Sequence, residues 1–200
     1  MLVDIARAAP EIIAKDSMSA VFKFCPQCAT PLAEITLAED GGDKTRWRCP
    51  SCDFTHWNNP TPVLAAVVEY HGQVLLARNV AWPAKMYALI TGFMEAGETP
   101  EEGITREIAE ETNLSTSALK LLGVYDFQRM NQVIIAYHAV CHGEVKLSPE
   151  LVDYRLYDLQ DVKCWPAGTG YALAEFLRSR GHEPEFMDPV WRTQIEQAAD

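Results

Sequence analysis

The stretch from Gly92 to Leu114, GFMEAGETPEEGITREIAEETNL, decides how this chain is read. Its first part is a glycine-bearing loop that runs into Thr99-Pro100-Glu101-Glu102. That quartet is a capping box. Thr99 takes the N-cap, Pro100 takes the first helical position, and Glu102 reaches back to the cap. The spacing predicts a helix to about Thr112, with Asn113 in the left-handed position that closes it. On this helix Glu107 lies three residues before Glu110 and four before Glu111, so the three project within roughly one 100° arc. Ile104 and Ile108 flank the arc and should pack into a core. Carboxylates this close to a packed base repel one another unless a cation sits among them. A solvated acidic face is the bland alternative, and alone the acidic run favours it. The glycine loop and the fixed spacing favour a divalent metal held by oxygen ligands, with phosphate chemistry as its use.

Upstream, Cys25-Pro26-Gln27-Cys28 and Cys49-Pro50-Ser51-Cys52 are two C-x2-C pairs. Each short loop aims two thiolates at one point, so Cys25, Cys28, Cys49 and Cys52 predict a tetrahedral zinc ribbon over residues 23–58. Redox or disulfide use is the competing reading. The duplicated pairs and a cytoplasmic setting argue against it. Between the pairs, Leu32–Leu37 and Lys44–Arg48 read as strands around a turn at Glu39–Asp43. So small a unit would draw much of its folding energy from metal. Ala29 and Asp53 stand where such knuckles often carry Gly. Cys141 and Cys164 read as buried inert thiols, and His56 as a packing residue.

From Asn58-Asn59-Pro60 onward the composition changes to apolar runs. Val63–Val68 and Gln73–Ala77 read as strands about a tight turn at His71-Gly72. Ala88–Ile90 delivers the chain to Gly92. Leu121–Phe127, Val133–Val140 and Arg155–Leu159 are further strand candidates, and Ala172–Arg178 reads as a helix stopped by Gly181. Strands around a central helix, with a second helix late, predict a mixed α/β domain over 59–182 with helices on both faces of a sheet. Residues 1–22 and 183–200 read as tails. Met18 is a candidate alternative start.

The formal net charge is −11, from 28 acidic and 17 basic residues. That disfavours an extended nucleic-acid face, which needs clustered Lys and Arg, while leaving room for a small phosphorylated substrate. No apolar run approaches the roughly 20 residues that span a bilayer. The N-terminus, interrupted by Asp4 and Arg7, lacks a signal-peptide core. The expected compartment is cytoplasmic.

In register, Gly92, Glu98, Arg106, Glu107, Ile108, Glu110, Glu111 and Leu114 resemble the box of the Nudix hydrolases, G-x5-E-x7-R-E-U-x-E-E-x-G-U. Asn113 is the one departure, and Asn is the next-best residue for positive φ. The resemblance implies an α/β/α sandwich and metal-dependent hydrolysis of a nucleoside diphosphate linked to another moiety. It also implies Mg²⁺ or Mn²⁺ held by Glu107, Glu110, Glu111 and the Gly92 carbonyl, with Arg106 orienting Glu107 and Glu98 supporting the metal shell. Glu111, Glu150 and Asp153 are candidates for the general base. Arg78 and Arg129 are candidates for substrate phosphate or, alternatively, for a dimer contact. Tyr125, Phe127, Tyr87 and Trp82 are candidates for a base-stacking slot.

With its ribbon the chain is similar to two subgroups. NADH pyrophosphatases carry S-Q-P-W-P-F-P-x-S after the box, and Tyr125–Val133 does not match it. Plant FAD and ADP-ribose pyrophosphatases look closer at Asn131–Ile135, Pro149-Glu150 and Arg155–Tyr157. ADP-ribose or FAD is therefore the expected substrate. NADH, RNA caps and a non-catalytic nucleotide-sensing or protein-binding module are the alternatives. A homodimer is an expectation carried by the resemblance alone.

Overall fold

The computed structural model describes residues 22–188. The expectations for Met18, for most of the N-terminal tail and for the end of the C-terminal tail lie outside the described residues. The chain divides into two compact units at Asn58/Asn59.

The first unit is a three-stranded antiparallel sheet of β1 (Ala33–Glu39), β2 (Gly42–Arg48) and β3 (Thr55–His56). Its small core is Cys25, Leu32 and Cys49, with Trp47, Cys52 and Phe54 packed against it. Little apolar area is removed from water here, so the four cysteines must hold the loops together. Their sulfurs lie within 4.8 Å of one another, with Cys28–Cys49 at 3.4 Å and Cys25–Cys52 at 3.6 Å. A tetrahedron with Zn–S bonds of about 2.3 Å requires sulfur separations of about 3.8 Å. The sulfurs therefore frame a zinc site, and all four cysteines are free thiols rather than disulfides. Ala29 takes φ 58°, the left-handed turn where Gly would be unstrained. His56 packs edge-on against Phe22, with ring centroids 5.1 Å apart.

The second unit is a six-stranded sheet in the order β7-β8-β4-β5-β9, with β6 paired to β4. Its elements are β4 (Thr61–Tyr70), β5 (Gln73–Asn79), β6 (Ile90–Phe93), α1 (Pro100–Thr112), β7 (Ser115–Phe127), β8 (Gln132–His142), β9 (Leu151–Tyr157) and α2 (Thr169–Ser179). β4 runs parallel to β8 and is covered on both faces, which is why it is apolar without alternation. Leu64, Ala66 and Val68 face Ile104 and Ile108 of α1. Val67, Val74 and Leu76 face Leu173, Phe176 and Leu177 of α2. The result is the expected α/β/α sandwich. Cys141 and Cys164 are buried, and burial pushes both thiols up, Cys164 to about 11. Among the described residues no helix is long and apolar enough to cross a membrane.

Three strands differ from the sequence expectation. The short apolar segment Ala88–Ile90 leads into a strand, Ile90–Phe93, that the sequence did not single out; Ile90, Thr91, Gly92 and Phe93 pair with Ala66, Ala65, Leu64 and Val63. β7 starts at Ser115, six residues before Leu121. The third strand starts at Leu151, four residues before Arg155, and ends at Tyr157.

Candidate active site

Helix α1 begins as its sequence requires. Thr99 accepts from the Glu102 N–H and Glu102 from the Thr99 N–H, while Asn113 closes the helix at φ 61°. The Asn113 amide also donates to the Glu144 carbonyl at 2.9 Å, an anchor that Gly could not supply.

Gly92 does not have a left-handed backbone. It is glycine because a Cβ there would lie 1.9 Å from the Glu107 Cδ, so the Glu107 carboxylate rests against the β6 main chain. Gly103, inside α1, has the same kind of cause. A Cβ would meet Glu98 Oε1 at 2.4 Å and Leu64 Cδ1 at 2.5 Å. The helix gives up propensity there so that Glu98 and the β4 core can close in.

Arg106 ties the cluster together. Its Nε donates to Glu98 Oε2 (3.1 Å) and its Nη2 to Glu98 Oε1 (3.0 Å) and the Phe93 carbonyl (3.3 Å). Its Nη1 donates to Glu107 Oε1 (2.9 Å) and Glu110 Oε2 (3.1 Å). The guanidinium, helped by the Glu95 N–H, holds Glu98 below the usual carboxylate range. Arg106 thus orients Glu98 as fully as it orients Glu107, a grip the spacing alone did not disclose. Burial raises Glu107 despite the arginine. Burial also raises Glu111, to about 7, with the negative neighbours Glu107, Glu150 and Glu110 adding to the effect.

Among the described residues only the cysteine sulfurs gather within 4.8 Å of one another. The carboxylates stand farther apart, around Arg106. Glu107 Oε2, Glu110 Oε1 and both oxygens of Glu111 nevertheless accept no hydrogen bond among the described residues. Free, mutually repelling oxygens beside a main chain approached this closely suit a small hard cation.

The substrate candidates fall on the other side of β6. Thr91 lines a cavity of about 160 Å³ on the α2 face, whereas Gly92, the next residue, meets Glu107 on the α1 face. Trp82, Tyr87 and Phe127 line this cavity as expected from the sequence. Tyr125 does not line it; it packs with Ala65 and Ala172 instead. Trp165 and Gln132 line it unforeseen. Arg129 stacks over the Phe127 ring at 5.3 Å. Arg78 sits opposite Asp153, and its Nε is buried without a partner. Asp153 accepts from the Tyr87 hydroxyl, a bond that holds its carboxyl below the usual range, and Arg155 covers the Tyr87 ring at 4.5 Å. Glu150 stands near enough to Glu111 to raise it; Asp153 exerts no such effect.

This arrangement has known counterparts. The NUDIX domain profile matches residues 59–178, and the zinc-ribbon profile described as Nudix N-terminal matches residues 23–58. The chain belongs to the Nudix family, with the ribbon that precedes the domain in part of it. It is similar to the NAD-capped RNA hydrolase NudC of Pseudomonas putida (strain W619), 26% identical over 172 residues, covering 82% of this chain and 59% of that protein. The NudC of Vibrio vulnificus is 30% identical over 132 residues, covering 64% of this chain and 48% of that protein. The chain thus spans about half to three-fifths of these relatives. The crystal structure of a NUDIX hydrolase from Nitrosomonas europaea superposes with a TM-score of 0.67 at 28% identity, covering 83% of this chain and 97% of that one. An ADP-ribose pyrophosphatase from Streptococcus suis, at 18% identity and a TM-score of 0.52, shares the fold; the match covers 64% of this chain and 100% of that one.

Proposed function

We propose that the chain hydrolyses the pyrophosphate of an adenine dinucleotide, with a nicotinamide dinucleotide, free or as the 5′ end of an RNA, as the first substrate to test. The observation that carries the hydrolytic part of this reading is the set of unpaired oxygens on Glu107, Glu110 and Glu111, with Glu107 against Gly92 and Arg106 holding Glu107 and Glu110. The similarity to NudC proteins favours nicotinamide dinucleotides over the ADP-ribose or FAD expected from sequence. ADP-ribose and FAD remain the second reading, because Tyr125–Val133 departs from the NADH pyrophosphatase motif.

Glu107, Glu110, Glu111 and the Gly92 carbonyl would hold Mg²⁺ or Mn²⁺. Such an ion polarises a diphosphate and lowers the pKa of an attacking water. Arg106 keeps Glu107 and Glu110 in place and draws Glu98 beneath the helix. Glu111, half-buried and raised to about 7 by burial and its acidic neighbours in the absence of a cation, would be kept ionised by a bound one and is the candidate to take a proton from water. Glu150 supports it electrostatically. Asp153, committed to Tyr87, positions the aromatic wall rather than acting as base. Arg78, whose buried Nε lacks a partner, offers a donor to substrate phosphate, and Arg129, stacked over Phe127, offers another.

Hydrolysis of NADH, NAD-capped RNA, ADP-ribose and FAD with Mg²⁺ or Mn²⁺, wild type against Glu111→Gln, tests this. The expected result is cleavage at the pyrophosphate that falls by at least about 10²-fold in the variant. A wild type inactive on all four, or a variant as active as the wild type, overturns the assignment.

A further inference from the structure

The α2-face cavity has walls that the hydrolytic cluster does not explain. Trp82, Tyr87, Phe127 and Trp165 surround it, and no charged side chain lines it among the described residues. At about 160 Å³ it is too small for a whole dinucleotide, since pockets that enclose drug-sized ligands run to roughly 300–1,000 Å³. One planar ring system is the size it suits, and flat aromatic walls favour a ring.

Gln132 is the anomaly in this wall. It opens β8, opposite Phe127 of β7 and Thr61 of β4. Side chains alternate along a strand, so Gln132 shares its face with Ile134 and Ala136, both buried under α2. An apolar residue would suit that face. The carboxamide instead makes no side-chain hydrogen bond among the described residues, although Gln132 is half-buried and lines the cavity. Its amide is not among the buried unpaired groups, so it meets the water of the cavity and is open to a ligand that displaces that water.

We propose that this cavity takes one ring of the dinucleotide and that Gln132 is its specificity-determining residue. Its C=O and NH₂ pair with a ring edge that carries a donor beside an acceptor. Two parts of a nicotinamide adenine dinucleotide present such an edge: adenine, through its 6-amino group and neighbouring ring nitrogen, and the nicotinamide carboxamide. Gln is a bidentate partner for adenine in other settings on the same ground. The pairing that discriminates uses the N7 edge, where adenine offers its 6-amino donor beside N7 while guanine and hypoxanthine offer two acceptors, O6 and N7, and mismatch the amide. The inference rests on the proposed dinucleotide activity, but binding tests it without turnover.

The test uses the full chain, wild type, Gln132→Leu and Gln132→Glu. Hydrolysis of NAD is compared with that of its hypoxanthine analogue and its nicotinic acid analogue. Isothermal titration compares AMP with IMP, and nicotinamide mononucleotide with nicotinic acid mononucleotide. In the wild type one substitution should lower kcat/KM and affinity roughly tenfold to a hundredfold. Which substitution does so tells whether adenine or nicotinamide occupies the cavity. Gln132→Leu should bring that ratio near one. Gln132→Glu, which accepts but does not donate, should lower or reverse it even if the Leu variant folds poorly. Unchanged ratios in both variants overturn the proposal. A wild type that cleaves nothing but still separates AMP from IMP, or the two mononucleotides, with the ratio lost in the variants, supports the Gln132 inference and overturns hydrolysis alone.

Discussion

Replacing Gly92 by Ala puts the site geometry to a direct test. The added Cβ would stand 1.9 Å from Glu107 Cδ, 2.1 Å from Oε1 and 2.3 Å from Oε2. Ordinary contact begins at 3.4 Å, so the carboxylate must retreat by at least 1.5 Å (3.4 minus 1.9). The Gly92 backbone is outside the left-handed region, so the main chain itself resists little. Misplacing a reacting group by about 1 Å can lower the rate ~10²-fold. Displacing Glu107 also strains its bond to Arg106, and overpacking costs about 1–3 kcal/mol. The expected outcome is a kcat/KM lower by about 10²-fold or more and a higher metal concentration for half activity. The melting temperature should fall by about 2–10 °C. Gly97→Ala is the matched comparison. Gly97 has φ +94° with nothing within 4 Å of its Cβ position, so alanine strains the backbone by about 1–2 kcal/mol without touching Glu107. Its melting temperature should fall while the metal dependence stays that of the wild type. Gly92→Ala with wild-type kcat/KM and wild-type metal dependence would refute the reasoning.

Three further outcomes are expected. Glu111 has a folded-state pKa of about 7 against an ordinary 4.5, so the metal-free protein loses stability as pH rises across that interval, by ~2–3 kcal/mol. Melting of metal-free protein at pH 5 and pH 8 should show this slope, and Glu111→Gln should flatten it; an unflattened slope contradicts the assignment. Cys49→Ser should abolish stoichiometric zinc measured by elemental analysis and expose residues 23–58 to proteolysis, and retention of one zinc per chain counts against the four-sulfur site. Gly103→Ala gains about 1 kcal/mol of helix propensity but drives a Cβ into Leu64 and Glu98, so the melting temperature should fall; a rise shows that the close approach is not constraining.

The parts of the fold legible in the sequence are those specified locally. Thr99, Pro100, Glu102 and Asn113 act on their own neighbours, and α1 begins and ends where they place it. His71 and Gly72, both with positive φ, set the turn between β4 and β5 in the same way. β7 was half legible because its alternation slips at two irregularities, Thr116/Ala118 and Leu121/Gly123, so only the part from Leu121 reads as a strand. β3 is two residues long and exists only because β2 lies beside it. At the site, the spacing of Glu107, Glu110 and Glu111 was visible. The bidentate grip of Arg106 on Glu98 was not, because it spans the loop and depends on Gly103 letting Glu98 approach. Nor were Trp165 and Gln132, which reach the cavity through pairings and packing distant in sequence.

That division explains why the reaction class is easier to read than the substrate. The groups assigned to the cation and its arginine clamp come from one continuous stretch, Gly92 to Glu111, in which loop, cap and helical period dictate one another. Four carboxylates and one guanidinium leave it negatively charged, a constraint that survives in any sequence able to hold a cation there. The cavity on the other face of β6 is assembled from four separated segments around Val63, Trp82–Thr91, Phe127–Ile134 and Trp165–Thr169. None of these has a local pattern that demands the others. On the reading proposed above, a change at Gln132 or Trp165 would alter which ring is accepted without disturbing Glu107 or Arg106, since β6 lies between them. If that reading holds, specificity would be set separately from the carboxylate cluster, and the Gln132 variants, rather than changes in the helix, are where the identity of the ring would show.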